Sequence, residues 1–284
     1  MSVCCLGEVW LELAADTAPE LADGFRAGTG GWSAAFCRRY AAHGGQPVLL
    51  AQLGADPFGR KIAAQLAADG VDCTGLSFTG QFPTPVVFTG AGEPPLPYRA
   101  GGAGLALGPE QLDPALFREA SALCFSSAGL VDSPLRLAHL KALSLARDAG
   151  ALCCYCPALE QAAPLWPSED ALSQTALQFL SRADVLFLEA EDLPRLFGSR
   201  ELRTALFALF TGHVQLIFYS DADKIHVFTR SVMTSAPFSG QDAPLLLYRS
   251  QAGLLYRIEQ SGLTPAALPR LKPSELAALL EAAS

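Results

Sequence analysis

Apolar runs of strand length alternate with helix-periodic segments along almost the whole chain, and this alternation constrains the fold more than any other feature. VCCLGEV opens the sequence as a strand. GWSAAFCRRYAAHGG follows, with Trp32, Phe36 and Tyr40 on one helical face and glycines at its end. PVLLAQLG is a strand. Asp56 then caps a helix that takes Pro57 at its first position, sets Phe58, Ile62 and Leu66 at i, i+4 and i+8, and stops at Gly70. ALCFSSAG is a strand, Ser133-Pro134 opens a helix running to Gly150, and ALCCYC is a strand. A helix lies near 169–182, DVLFLE is a strand, and VQLIFY and KIHVFT form a strand pair across SDAD. Strand–helix–strand repetition predicts an α/β fold in three layers, a mostly parallel central sheet with helices on both faces.

Two stretches break the rhythm. Residues 76–103, LSFTGQFPTPVVFTGAGEPPLPYRAGGA, are rich in Gly, Pro and Thr, with short β-like runs and no helix. Residues 9–28 are similarly irregular. Together they predict a small β excursion from the main domain, a lid or an interaction ribbon. Neither an internal repeat nor a linker divides the sequence, so residues 1–284 read as one domain.

The composition removes several classes. Half of the 284 residues are hydrophobic and only 17% are charged, which excludes a disordered chain. The net charge of −8, without a Lys/Arg cluster, argues against nucleic acid or an anionic membrane as partner. MSVCCLGEVWLEL lacks a basic leader and is interrupted by Glu8 and Glu12, so it does not read as a signal peptide. No stretch approaches the roughly 18 apolar residues of a membrane span. The expectation is a soluble, cytoplasmic protein. Cys153, Cys154 and Cys156 form the one cysteine cluster, on a strand where Cys154 and Cys156 share a face and Cys153 points away. No second pair completes a zinc site, so these read as small buried hydrophobes and no metal ligand is assigned.

Gly30 to Gly45, GGWSAAFCRRYAAHGG, runs directly into QPVLLAQLGADPFGRKIAAQLAADGVDCTGL, Gln46 to Leu76. This resembles the N-terminal signature of the ribokinase, or PfkB, family of carbohydrate kinases, fructokinases most closely. That signature is a Gly-Gly opening a helix that ends in Leu-Gly-Gly, a strand, G-x-D-x-F-G, and a helix ending in G-V-D. CLGEVWLEL is similar to the family's first strand, and ADVLFLEAEDLPRLFG to its segment around a metal-linked N-x-x-E. The resemblance implies a ribokinase-like fold with a β lid over the sugar, a lid that often pairs with a second subunit. It also implies ATP and Mg²⁺ as cofactors for phosphoryl transfer to a sugar hydroxyl.

At the chemical positions the sequence departs from the family. The G-A-G-D turn, whose glycines gather backbone N–H groups around phosphate and whose Asp accepts the hydroxyl proton, falls on Leu245, Leu246, Leu247 and Tyr248. Leucine obstructs close approach, and Tyr248, protonated at neutral pH, is a poor base. The sugar-binding Asp falls on Glu12, and the Asn after Gly30-Gly31 falls on Ala35. D-P-N-x-R falls on Cys156-Pro157-Ala158-Leu159-Glu160, with charge reversal at the last. N-x-x-E falls on Glu189 and Asp192, which either attract a cation or form a solvated helix start. T-x-G-x-x-G falls on Phe218 to Asp223, bringing bulk and two carboxylates toward the phosphates. About 35 residues follow Tyr248, one helix fewer than the family carries, and LPRLKPSELAALLEAA is expected to cover core through Leu276, Leu279 and Leu280.

Glu12, Gly30, Gly31 and Arg99 therefore remain as the residues that could contact a sugar. Gly30-Gly31 reads equally as a helix-opening turn, and Arg99 as a solvated or carboxylate-paired lid residue. The expectation is a fructokinase-like protein with impaired or absent catalysis, weak or absent ATP binding, and a lid-mediated homodimer. Two rivals stand beside it: a sugar kinase using Asp221, Asp223 or Asp242 as displaced groups, and a sugar-sensing or partner-binding module.

Overall fold

The computed structural model describes residues 2–221, 223–237 and 243–280, with 243–250 described by backbone alone. In chain order the strands are β1 (Ser2–Leu6), β2 (Trp10–Ala14), β3 (Arg26–Gly30), β4 (Pro47–Gly54), β5 (Leu76–Thr79), β6 (Val86–Gly90) and β7 (Glu93–Tyr98). They continue with β8 (Ala120–Ser126), β9 (Leu152–Cys156), β10 (Val185–Glu189), β11 (Leu216–Ser220), β12 (Lys224–Phe228) and β13 (Met233–Pro237). The helices are α1 (Trp32–Ala42), α2 (Pro57–Ala68), α3 (Ala115–Arg118), α4 (Pro134–Asp148), α5 (Leu159–Ala162) and α6 (Glu169–Leu180). Then come α7 (Asp192–Phe197), α8 (Leu202–Leu209), α9 (Ala243–Gln260) and α10 (Pro273–Leu280).

The main sheet has the order β13-β12-β11-β10-β9-β8-β1-β4-β5. Every pairing from β11 to β5 is parallel, and β12 and β13 close one edge antiparallel. The parallel strands are apolar without alternation because both of their faces are buried. On one face, α1, α2, α9 and α10 cover Val3, Cys5, Cys124 and Cys154; on the other, α4, α6, α7 and α8 cover Cys4, Leu6, Cys153 and Leu186. The α/β three-layer expectation holds, as does the split of Cys154 and Cys156 from Cys153.

On α1, the faces of Trp32, Phe36 and Tyr40 stack at centroid distances of 5.1 and 5.9 Å. Asp56 caps α2, accepting the N–H groups of Phe58 and Gly59 at 2.9 Å. The buried stripe of that helix is Gly59, Ile62 and Leu66, and Phe58 is exposed. The phase shifts because Gly59 lies against the Gly54 carbonyl, where a β-carbon would meet oxygen at 2.1 Å.

A second sheet, in the order β3-β2-β6-β7, is the excursion expected from 9–28 and 76–103. Its limits differ from that expectation. β5 pairs with β4 in the main sheet, so the second stretch of the small sheet begins only at Val86, and its first stretch extends to Gly30. β7 carries Pro94, Pro95 and Pro97, which remove N–H donors from this edge strand. α10 buries Leu276, Leu279 and Leu280 against the core. β13 and α8 have no counterpart in the sequence reading.

Candidate functional site

The carboxyl ends of the parallel strands open beneath the small sheet, the usual place for ligands in open α/β folds. There a cleft of about 800 Å³ lies between lid and body. Trp10 and Glu12 of β2, with Val87 and Thr89 of β6, form its roof, and Gly30, Gly31, Trp32, Ala35 and Arg39 form one wall. Ser126, Ala128, Ala158, Glu160 and Gln161 form the opposite wall.

The two glycines are required by local geometry. A β-carbon on Gly30 would meet Trp10 Nε1 at 2.2 Å and Glu12 Oε2 at 3.0 Å, so its bareness lets these side chains lie over it. Gly31 has φ of 109° and caps α1, and a β-carbon there would meet the Glu8 carbonyl at 2.6 Å. Gly30-Gly31 is thus both a helix-opening turn and a cleft wall. Glu12 Oε1 accepts the Thr89 hydroxyl at 3.1 Å, tying two lid strands together. Ala35 presents a methyl to the cleft.

Past β9 the chain enters Ala158 with φ 47° and ψ 50°, the one non-glycine residue at positive φ among those described. Asn tolerates this left-handed conformation, whereas Ala is strained in it by about 1 kcal/mol. The backbone bend is present without the side chain that suits it. It starts α5 so that Leu159 N–H donates to Asp192 Oδ1 at 2.9 Å, while Asp192 Oδ2 accepts Glu189 N–H at 2.9 Å.

Glu189 and Asp192 are buried, which corrects their reading as a solvated helix start. Burial, then the neighbouring Asp192 charge, pushes the Glu189 carboxyl up to about 8. Burial pushes Asp192 up to about 6 against the pull of its two backbone N–H donors. Gln161 reaches Glu189 Oε2 at 3.4 Å, and Oε1 is buried without a partner. Beside them the Cys156 thiol is pushed well up, first by burial and then by Glu189 and Asp192. Among the described residues no group of three His, Cys, Asp or Glu side chains is arranged to hold a metal ion.

Arg99 is not on the cleft lining, nor is it solvated. It is 5% exposed, ion-paired with the fully buried Glu8 side chain, and it also donates to the carbonyls of Ala128 at 3.3 Å and Leu165 at 2.5 Å. Its guanidinium ties the foot of the lid to the cleft's far wall. Trp10, Arg39 and Gln161 line the cleft without having been singled out in the sequence, and Trp32, read there only as part of a helical face, lines it as well. A Trp two residues before an acid on a lid strand was the available signal, since alternation puts both on one face.

At the expected nucleotide side, Phe218 is buried and stacks on Phe187 at 5.3 Å, so its bulk goes into the core. Asp221 accepts the N–H groups of Asp223 and Lys224 at 2.9 and 2.8 Å and meets His226 Nε2 at 3.1 Å, closing the β11–β12 turn. Ala222 and Asp242 lie outside the described residues, as do the side chains of Leu245, Leu246, Leu247 and Tyr248. The backbone of that last stretch is helical, α9 beginning at Ala243.

Residues 1–235 match the pfkB family carbohydrate kinase profile. A probable fructokinase-4 of Arabidopsis thaliana is 32% identical over 225 residues, 76% of this chain and 68% of the relative. Fructokinase-2 of Solanum lycopersicum is 32% identical over 185 residues, 64% of this chain and 56% of its own length. The matched stretch covers 68%, 55% and 59% of three Arabidopsis relatives, so much of their length has no counterpart in it. A crystal structure of fructokinase with bound ATP from Xylella fastidiosa shares the fold at a TM-score of 0.89, 26% identity, over 99% of this chain and 89% of that one. Aminoimidazole riboside kinase from Salmonella enterica shares the fold at 0.82, with 23% identity, over 100% of this chain and 90% of that one. The chain belongs to the pfkB family of carbohydrate kinases and has fructokinases among its relatives.

Proposed function

We propose that the chain binds a carbohydrate in the cleft beneath its lid and transfers phosphate to it slowly or not at all. One observation carries the reading: the cleft keeps Gly30, Gly31 and an acid, Glu12 in place of Asp, but presents Ala35, Ala158 and Glu160 where the family resemblance implies amides and a cation. The general base and the glycine turn are replaced in the sequence by Tyr248 and three leucines.

When bound, Mg-ATP supplies the transferred phosphoryl group and offsets its charge. The described residues on that side do not fit it well, because the turn after β11 carries Asp221 and Asp223 and like charges repel. We therefore read ATP binding as weak or absent. Displaced catalysis by Asp221 is disfavoured by its three contacts within the turn.

The lid's outer face supports a second part of the proposal, a homodimer. Leu21, Leu96 and Tyr98 are 73%, 47% and 63% exposed, and with Phe25 and Phe88 at a groove of about 400 Å³ they leave apolar surface for a second copy to cover. Sedimentation at micromolar concentration reads this directly; a monomer would overturn it.

The test of function is ADP release with Mg-ATP and D-fructose, D-ribose or 2-keto-3-deoxygluconate. Losing one oxyanion donor costs about 10²–10³ in rate, and here the base is lost as well. Turnover should fall at least about 10³-fold below the roughly 1 s⁻¹ of an ordinary kinase. Tyr248→Asp alone should not restore it, because the leucines remain. Turnover near 1 s⁻¹ in the unaltered protein would establish an active kinase instead.

A further inference from the structure

We propose that the sugar held in this cleft carries a protonated amine, so that the ligand class is an amino sugar rather than a neutral or acidic one. This deepens the carbohydrate-binding reading and rests on it. Two carboxylates meet the cleft from different parts of the fold: Glu12 from the lid strand β2 and Glu160 from the first turn of α5. Glu12 spends Oε1 on the Thr89 hydroxyl, while Oε2 makes no hydrogen bond among the described residues and lies over Gly30 beside Trp10. Glu160 is exposed, and its charge reaches inward far enough to raise both Glu189 and Asp192.

The described lining offers little to balance these charges. Arg39 is its one cationic side chain, set against two carboxylates. Arg99, the other guanidinium near the lid, is consumed by Glu8 and two carbonyls behind the cleft wall. Trp10 and Trp32 supply aromatic surface on the same lining, and an ammonium is held by an indole face together with a carboxylate. A carboxylate-bearing sugar would meet repulsion from Glu12 and Glu160. A neutral sugar would gain no charge–charge attraction from them. The net charge of −8 draws cationic ligands toward the protein as well. The Trp10 indole N–H remains for a hydroxyl group.

The experiment is calorimetric titration of the full chain at pH 7 and low salt with D-fructose, 1-amino-1-deoxy-D-fructose and D-gluconate. The amino sugar should bind at least tenfold more tightly than D-fructose, and D-gluconate should give no signal. Glu12→Gln and Glu160→Gln should each reduce that preference at least threefold. Glu160 is exposed, so its variant keeps the test sound even if Glu12→Gln perturbs the lid. D-Fructose binding as tightly as the amino sugar, or a preference unchanged in both variants, would overturn the inference and leave the carbohydrate site standing. Silence from all three sugars would remove the carbohydrate reading itself, and this inference with it.

Discussion

Ala158 holds a backbone shape that its side chain does not favour. An Asn there keeps the left-handed bend at lower strain, and the cleft beside it has room for the larger side chain. Ala158→Asn should stabilise the protein by roughly 0.5–1 kcal/mol in urea unfolding; a loss of stability would show that the bend is not strained. Glu189 makes a different demand. Its pKa in the folded state is pushed up to about 8, so between the unfolded value near 4.5 and pH 8 the folded state holds the extra proton. Stability is therefore full below about pH 4.5 and falls as pH rises toward 8. The groups facing it are Asp192, Glu160, Gln161 and the Cys156 thiol. Glu189→Gln should flatten this slope and gain about 1–3 kcal/mol at pH 8, a range reduced from the full shift because Asp192 takes up part of the titration. An unchanged slope in the variant would refute the assignment.

At the level of elements, the lid is fastened at each place where it meets the body. Asp56 caps α2 and also accepts Thr84 N–H at 2.8 Å and the Thr84 hydroxyl at 2.9 Å, just before β6. Thr29 on β3 donates to Gln65 of α2 at 2.7 Å, and its carbonyl accepts Arg38 at 3.1 Å. Arg99 and Glu8 complete the set. Removing one member of a buried ion pair strands the other, so Arg99→Met should cost about 3–5 kcal/mol, and adding Glu8→Gln should recover much of that. Hydrogen exchange in β6 and β7 should quicken in the single variant and return toward normal in the double. A single variant within 1 kcal/mol of the parent would show that the pair does not hold the lid.

These fastenings also mark where the sequence was legible. Helix periodicity is local, so Trp32, Phe36 and Tyr40 were readable as one face, and the strand runs were readable from their apolarity. Which sheet a short strand joins depends on distant partners, so β5 could not be separated from the lid by its own residues. Phe58 fell on the expected phase, but the Gly59 contact with Gly54 decided which face turned inward. At the site, Glu12, Gly30 and Gly31 were readable through the resemblance. Arg99 was readable as a carboxylate-paired lid residue, but which carboxylate was not, because its partner, Glu8, lies 91 residues away in the chain.

The whole molecule buries nearly all of its cysteine sulfur. Of eight free cysteines, only Cys73 is partly exposed, and Cys5, Cys124 and Cys154 stand side by side on adjacent strands at the middle of the main sheet. Burial raises the pKa values of Cys4, Cys37, Cys124, Cys153 and Cys156, which suppresses the reactive thiolate. A thiol reagent should therefore modify Cys73 first and the remaining seven together, at the rate at which the sheet opens. Stepwise labelling of the seven would show that the two faces of the sheet open separately. The same arrangement makes each opening hazardous in air: a chain that unfolds briefly exposes seven fresh nucleophiles, and any that oxidise can no longer pack. The working lifetime of this protein is then a clock wound by its unfolding rate, one that a bound ligand or a reductant slows and a destabilised lid hastens.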